Sequence, residues 1–150
     1  MNHEIYVGEK ETVITQIFDA PRELVYQAWT QPENLAQWWG PKGFTNTFKE
    51  FDLRPGGTWE FIMHSPDGAD FPNKSVFVEI VKPNRVVLNH VSGPHFQITA
   101  TFEEHAGKTK FTFRQSFETE REFAKVKSFA IDGNKETIDR LEAHLEVMSR

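Results

Sequence analysis

The chain has 150 residues, a net charge of -5 and no cysteine, and carries 14 Phe and 4 Trp. A chain of this length is one ordinary domain, residues 1–150, able to bury roughly 68–70% of its unfolded surface around one core. The acidic balance excludes a nucleic-acid surface, which needs clustered Lys and Arg; the missing thiols remove disulfides, thiolate catalysis and Cys-based zinc sites and fit a cytoplasmic location.

The first ten residues, Met1 to Lys10, lack the basic start and apolar run of a signal peptide, and no later stretch is apolar enough for a membrane span. Thr12 to Phe18 reads as a strand. Asp19-Ala20-Pro21 ends it, with Asp19 placed to cap and Pro21 to begin a helix. Leu24, Val25, Ala28 and Trp29 follow at helical spacing; Pro32 interrupts, and Leu35, Ala36, Trp38 and Trp39 form a second short helix that Gly40-Pro41 stops. This helix pair carries Glu33 and no basic residue in its second helix, so it is not a DNA reader. Adjacent indoles on a helix lie about 100° apart, so one of Trp38 and Trp39 reaches inward while the other covers an edge.

From Thr45 to Phe117 the period changes to two, giving antiparallel strands over Phe48–Leu53, Thr58–His64, Ser75–Val81, Arg85–Val91, Phe96–Glu104 and Lys108–Phe117. Turn residues such as Arg54-Pro55-Gly56-Gly57 and Pro66-Asp67-Gly68 separate them. In the last two strands Phe96, Ile98, Ala100 and Phe102 share a face, as do Phe111, Phe113, Gln115 and Phe117, so one side of the sheet is dry. Glu118 to Glu122 mixes charges and opens a helix as a solvated first turn. The chain closes on Glu136–Arg150, an amphipathic helix with Ile138, Leu141, Leu145 and Met148 on one stripe. Upstream, Asp132-Gly133-Asn134 allows either a break capped by Asp132 or Asn134, or a continuous helix carrying a glycine.

Together these elements make an α+β domain whose curved antiparallel sheet wraps a long C-terminal helix, with two short helices after the first strand. The segments Phe18 to Val25, Trp38-Trp39-Gly40-Pro41, Asp52 to Gly57 and Gly133 to Leu145 resemble, jointly and in this order, the activator-of-Hsp90-ATPase-homologue (AHSA1-like) branch of the START/Bet v 1-like, or SRPBCC, superfamily. The resemblance covers about residues 10–148. It implies a helix-grip fold with a deep cavity between sheet and C-terminal helix. The superfamily includes hydrophobic-ligand carriers, polyketide aromatase/cyclases, hormone receptors and a co-chaperone domain, so fold does not choose the activity. The eukaryotic co-chaperone has an additional N-terminal domain that this length does not accommodate, which counts against an Hsp90-type partner. Many relatives carry Trp directly after the helix glycine; Asn134 stands there in this chain, which enlarges the cavity and adds a polar handle.

Candidate ligand contacts are the aromatics Trp38, Trp39, Phe48, Trp59, Phe61, Phe113 and Phe117, the polar Gln115 and Asn134, and Ile138 on the helix stripe. Aromatics on an inward face are often core and nothing more. Gln115 and Asn134 are more telling, because a polar side chain on an apolar face must be hydrogen-bonded to protein, water or ligand. None of the six histidines shows metal-ligand spacing, and no metal or cofactor is expected. His64 and His90 end strands and are placed to meet at a pocket mouth; His105 and His144 read as surface residues. Asp52 and Arg54 read as structural turn residues, whereas Glu50 becomes a hidden acid if it points inward.

The reading preferred from these residues is non-catalytic binding of a small hydrophobic molecule, lipid-like or polycyclic aromatic. A cofactor-free cyclase or aromatase is the alternative, with Hsp90-type co-chaperone activity behind it. An exposed edge strand leaves a homodimer open.

Overall fold

The structure is a computed structural model that describes residues 3–150. Eight strands and three helices follow in the order β1 (Glu4–Val7), β2 (Glu11–Phe18), α1 (Arg22–Thr30), α2 (Pro32–Trp38), β3 (Thr45–Phe51), β4 (Thr58–His64), β5 (Asp70–Val81), β6 (Arg85–His90), β7 (Phe96–His105), β8 (Lys108–Phe117) and α3 (Glu120–Met148). The strands form one antiparallel sheet in the order β1-β2-β8-β7-β6-β5-β4-β3, with β2 joining the far end of the meander through β8. This is the helix-grip architecture, and the dry face read from β7 and β8 is the one facing the helices: Ile98, Ala100, Phe102, Phe111, Phe113, Gln115 and Phe117 are all buried. Among the described residues no helix is long and apolar enough to cross a membrane.

Two breaks in register bend the sheet. One lies between Phe48 and Glu50, opposite Phe61 and Glu60; the other lies between Phe77 and Glu79. An extra residue in one strand raises local twist and resets which side chains face inward. Phe48 and Phe51, three positions apart, therefore stack at 5.9 Å on the core side, and Glu50 is turned out to solvent. Glu50 is thus no hidden acid: the bulge, invisible to simple alternation, decides its face.

The structure corrects the sequence reading at three other points. β1 was not anticipated, because all four of its residues are exposed and leave no amphipathic signal. β5 starts at Asp70 rather than Ser75, running through Pro72; this half pairs with β4 only, so the missing proline N–H breaks no ladder on its other side. Pro21, not Asp19, occupies the N-cap of α1, and it makes no side-chain cap bond. Of the two courses left open at Asp132-Gly133-Asn134, the continuous helix is the one formed: α3 runs for 29 residues with Gly133 in its interior. Thr119 caps this helix by accepting the Glu122 amide at 3.1 Å, with Glu120 and Glu122 favourably placed in the first turn.

The two informative glycines have opposite requirements. A Cβ on Gly57 would sit 2.0 Å from the Asp52 carbonyl oxygen, in a turn pinned to Phe77 by Gly56 N–H donating to Phe77 O and Phe77 N–H donating to Gly57 O. At Gly133 the nearest atom to an added Cβ is Pro41 Cγ at 3.5 Å, an ordinary contact. Gly133→Ala should therefore stabilise the fold by up to about 1 kcal/mol through helix propensity, whereas Gly57→Ala should destabilise it by more than about 2 kcal/mol through backbone clash. Urea unfolding of the two variants checks this, and a loss of stability in Gly133→Ala would contradict it.

Candidate functional site

Helix α3 is held at two places along its length and stands off the sheet between them. Near its start Phe123 packs on Phe117, with ring centroids 5.2 Å apart, in a small cluster with Ala130. Toward its end Ile138, Leu141 and Leu145 are buried in the main core. The intervening face carries Ala130, Gly133, Asn134 and Thr137, of which Asn134 reaches the sheet through its amide, and a cavity of about 890 Å³ opens there.

The sheet side of this cavity is formed by Phe61, Leu88, Ile98, Phe113, Gln115 and Phe117, and Trp39 with Gly40 and Pro41 closes one side. Exposed members of the lining mark the mouth: Pro66, Asp67, Asp70, Phe71 and Pro72 around the β4–β5 turn, Gly93 and Pro94 in the β6–β7 turn, and Phe129 on α3. A dry void this large, at about 24 cal/mol per Å³, would exceed the ~5–15 kcal/mol by which a whole domain is stable. Solvent or a ligand must therefore occupy it.

Trp39 is positioned by both its neighbours and its own backbone. It is the C-cap of α2, and its extended backbone turns the indole away from the path of Trp38. Trp38 points into the core, 1% exposed, and donates from Nε1 to Ala28 O at 3.0 Å. The Trp39 ring packs edge-on against Trp29 at 5.5 Å and Trp59 at 5.0 Å. Its carbonyl and its neighbours' carbonyls are collected by Arg140, which donates to Gln37 O, Gly40 O and Pro41 O at 2.9–3.0 Å and to Trp39 O at 3.3 Å. A cation over the last carbonyls of a helix is favourable. Burial pulls the Arg140 pKa below its ordinary value, yet a guanidinium remains charged in proteins.

Two polar features interrupt the apolar walls. Across the cavity Asn134 Nδ2 donates to Gln115 Oε1 at 2.9 Å, joining α3 to β8. At the other side His90 stacks on Phe96 at 4.4 Å; its Nδ1 donates to Pro94 O at 2.8 Å, and its Nε2 lies 2.7 Å from Asn73 Oδ1 and 3.4 Å from the Ser92 hydroxyl, the donor available to it in the neutral ring. Burial lowers the His90 pKa; the Pro94 carbonyl opposes the shift and the neighbouring His95 adds to it. His64 does not meet His90. It lies outside the lining, between Thr47 Oγ1 and Asp70 Oδ1 at 2.7 Å each. Asp52 and Arg54 form an exposed ion pair at 2.8 Å beside their turn. Among the described residues no group of three or more His, Asp or Glu side chains is arranged to hold a metal ion.

Of the ten contacts expected from sequence, Trp39, Phe61, Phe113, Gln115, Phe117 and Asn134 lie in the lining, while Trp38, Phe48, Trp59 and Ile138 do not. Trp38, Trp59 and Ile138 are fully enclosed in the core, and Phe48 packs at its edge on Trp59 at 5.5 Å. Ile138 misses the cavity because it belongs to the part of α3 that seats on the core. Sequence reasoning missed Phe129, Ala130 and Thr137. The signal for Ala130 and Thr137 was the run of small residues at helical spacing upstream of Ile138, which extends the buried stripe while thinning it; Phe129, exposed at the mouth, lies outside that stripe.

A curved antiparallel sheet gripping one long helix, with an apolar cavity between them, defines the helix-grip fold. The chain belongs to the family of activator of Hsp90 ATPase homolog 1-like proteins, whose model matches residues 19–146. Among solved structures it is similar to an Arthrobacter aurescens protein (TM-score 0.89, 24% identity, 95% of this chain and 91% of that one). It is also similar to a Nitrosomonas europaea protein (TM-score 0.86, 23% identity, 95% and 98%) and to an AHSA1-like protein from Aeromonas hydrophila (TM-score 0.76, 20% identity, 93% and 94%). No curated protein matches the chain.

His90 gives the site a pH dependence with a definite sign. Its folded pKa lies below the unfolded value of about 6.5, so the native state binds fewer protons in that window. Its stabilising effect is complete above about pH 6.5 and is lost as pH falls through the folded pKa. His90→Gln should flatten the fall in unfolding free energy between about pH 7.5 and 5.5. His144, whose pKa burial also lowers, leaves a residual slope. An unchanged slope in the variant would show that His90 is not the group responsible.

Proposed function

We propose that the protein takes up a small hydrophobic molecule, lipid-like or polycyclic aromatic, in the cavity beneath α3 and performs no chemistry on it. The observation that carries this reading is the cavity itself, about 890 Å³ walled by aromatic and aliphatic side chains and within the roughly 300–1,000 Å³ of small-molecule sites. Trp39, Phe61, Phe113 and Phe117 provide apolar contact, and Gln115 with Asn134 provides a polar anchor. Trp38, Phe48, Trp59 and Ile138 serve as the packed backing of that wall.

Binding is favoured over catalysis by the state of the ionisable groups. Both His90 nitrogens have protein partners, Glu50 is solvent-exposed, and the polar pair inside the cavity consists of two amides, which do not exchange protons near neutral pH. A general acid or base needs hydrogen-bond reach to the reacting atom; besides His90 the ionisable groups of the lining are Asp67 and Asp70, which stand at the exposed mouth.

Native mass spectrometry of the purified protein and tryptophan-quenching titrations test the proposal. Trp39 is the indole in the lining and is its reporter. Saturable binding of one class of neutral or lipid-like hydrophobe is the expected result. Asn134→Trp, which places an indole in the free space beside Gly133, should weaken that binding at least tenfold while the unfolding midpoint stays within a few degrees. A folded protein that binds none of these compounds, or an Asn134→Trp variant that binds them equally, would overturn the reading.

A further inference from the structure

We infer that the cavity selects an uncharged aromatic molecule bearing a carbonyl or hydroxyl group, anchored by the Gln115–Asn134 amide pair, and discriminates against anions. This rests on the proposed hydrophobic-ligand reading and narrows it.

The charge distribution carries the first half. Among the described residues no Lys or Arg lines the cavity, whereas Asp67 and Asp70 stand at its mouth. The Ser65 hydroxyl and the Ala69 amide hold the Asp67 carboxyl below its usual range, so it remains a carboxylate at neutral pH. Arg140, on the adjacent face of α3, has its guanidinium committed to backbone carbonyls of the Gln37–Pro41 segment. The His90 imidazolium, which would be a cation in the lining, is disfavoured by burial. A fatty-acid carboxylate or an aryl sulfonate would therefore pass two like charges and then lose its hydration with no cation to replace it.

The amide pair carries the second half. Asn134 Nδ2 donates to Gln115 Oε1 at 2.9 Å and lies 3.5 Å from Thr12 Oγ1, so the NH₂ left for a ligand is that of Gln115. An amide pair joined through one such bond keeps a free NH₂ on one side and a free carbonyl oxygen on the other, able to donate to a ligand carbonyl or accept from a hydroxyl. Of the other polar groups in the lining, Thr137 Oγ1 donates to Gly133 O at 2.8 Å and His90 Nδ1 donates to Pro94 O at 2.8 Å.

Two matched probe pairs test the inference at pH 7.5. N-phenyl-1-naphthylamine and 1-anilinonaphthalene-8-sulfonate share a skeleton and differ by one sulfonate; the neutral probe should bind at least tenfold more tightly, and Asn134→Trp should displace it. Equal binding, or tighter binding of the sulfonate, would overturn the charge selection while leaving the pocket in place. Failure of both probes would instead remove the hydrophobic-ligand reading itself. In the second pair, 2-acetylnaphthalene should bind about threefold to tenfold more tightly than 2-ethylnaphthalene. The double variant Gln115→Met, Asn134→Leu, which replaces both hydrogen-bonding partners with apolar groups and so leaves neither unpaired, should abolish that preference. A preference absent from the wild type, or persisting in the double variant, would show that the amide pair is not the anchor.

Discussion

Everything distinctive about this structure depends on how α3 is fastened. A 29-residue amphipathic helix laid across a sheet would ordinarily bury one continuous stripe. Here the stripe is filled at both ends and thin in the middle, so the core divides into a small cluster around Phe117 and Phe123 and a large one that takes in Ile138, Leu141 and Leu145. The gap comes from side-chain size at Ala130, Gly133 and Asn134 and requires no kink in the helix. Arg140 then ties the C-terminal half of α3 to the carbonyls at the end of α2, so the wall bearing Trp39 is fixed to the same helix that roofs the cavity.

A space of this size persists only if its walls resist collapse, and the aromatic packing supplies that resistance. The four tryptophans form one connected network, with Trp29, Trp38, Trp39 and Trp59 linked by edge-to-face contacts of 5.0–5.7 Å. Such pairs contribute about 0.5–1.5 kcal/mol each beyond their burial and constrain ring orientation. Trp59 extends the network by stacking on Phe61 at 4.3 Å, which lines the cavity. The arrangement leaves the buried Nε1 atoms of Trp29 and Trp59 without a conventional acceptor. Their surroundings are ring faces and edges, where a N–H finds at most a weak aromatic partner.

Much of the fold was legible because its signals are local. The dry face of β7 and β8 follows from strict alternation, whereas the direction of Trp39 follows from its extended backbone at the C-cap of α2 and not from helical geometry. The bulge at Phe48–Glu50 was not legible, since one extra residue changes the face of Glu50 without altering composition. The continuity of α3 through Gly133 was undecidable from propensity; the helix runs through it unbroken, with that glycine buried beside Pro41. At the site, residue type identified Gln115 and Asn134 as needing partners, but their hydrogen bond to each other is a tertiary fact. Trp59 and Ile138 illustrate the converse: inward direction was readable, while the difference between facing a cavity and facing a neighbour was not.

The topology also sets when this protein can become itself. Strands β3 to β8 pair with their sequence neighbours, but β2 has its main partner in β8, with Glu11 opposite Ser116. At about 5–20 residues per second, strand β2 leaves the ribosome some 5–20 s before its partner is made. The helix that completes the grip is synthesised later still. During that interval a β-rich N-terminal segment, with Ile14 and Phe18 destined for the core, has only the short, exposed β1 to pair with. Nascent-chain folding is therefore necessarily late, and the N-terminal hairpin is the part of the chain with the longest need of protection from other unpaired strands.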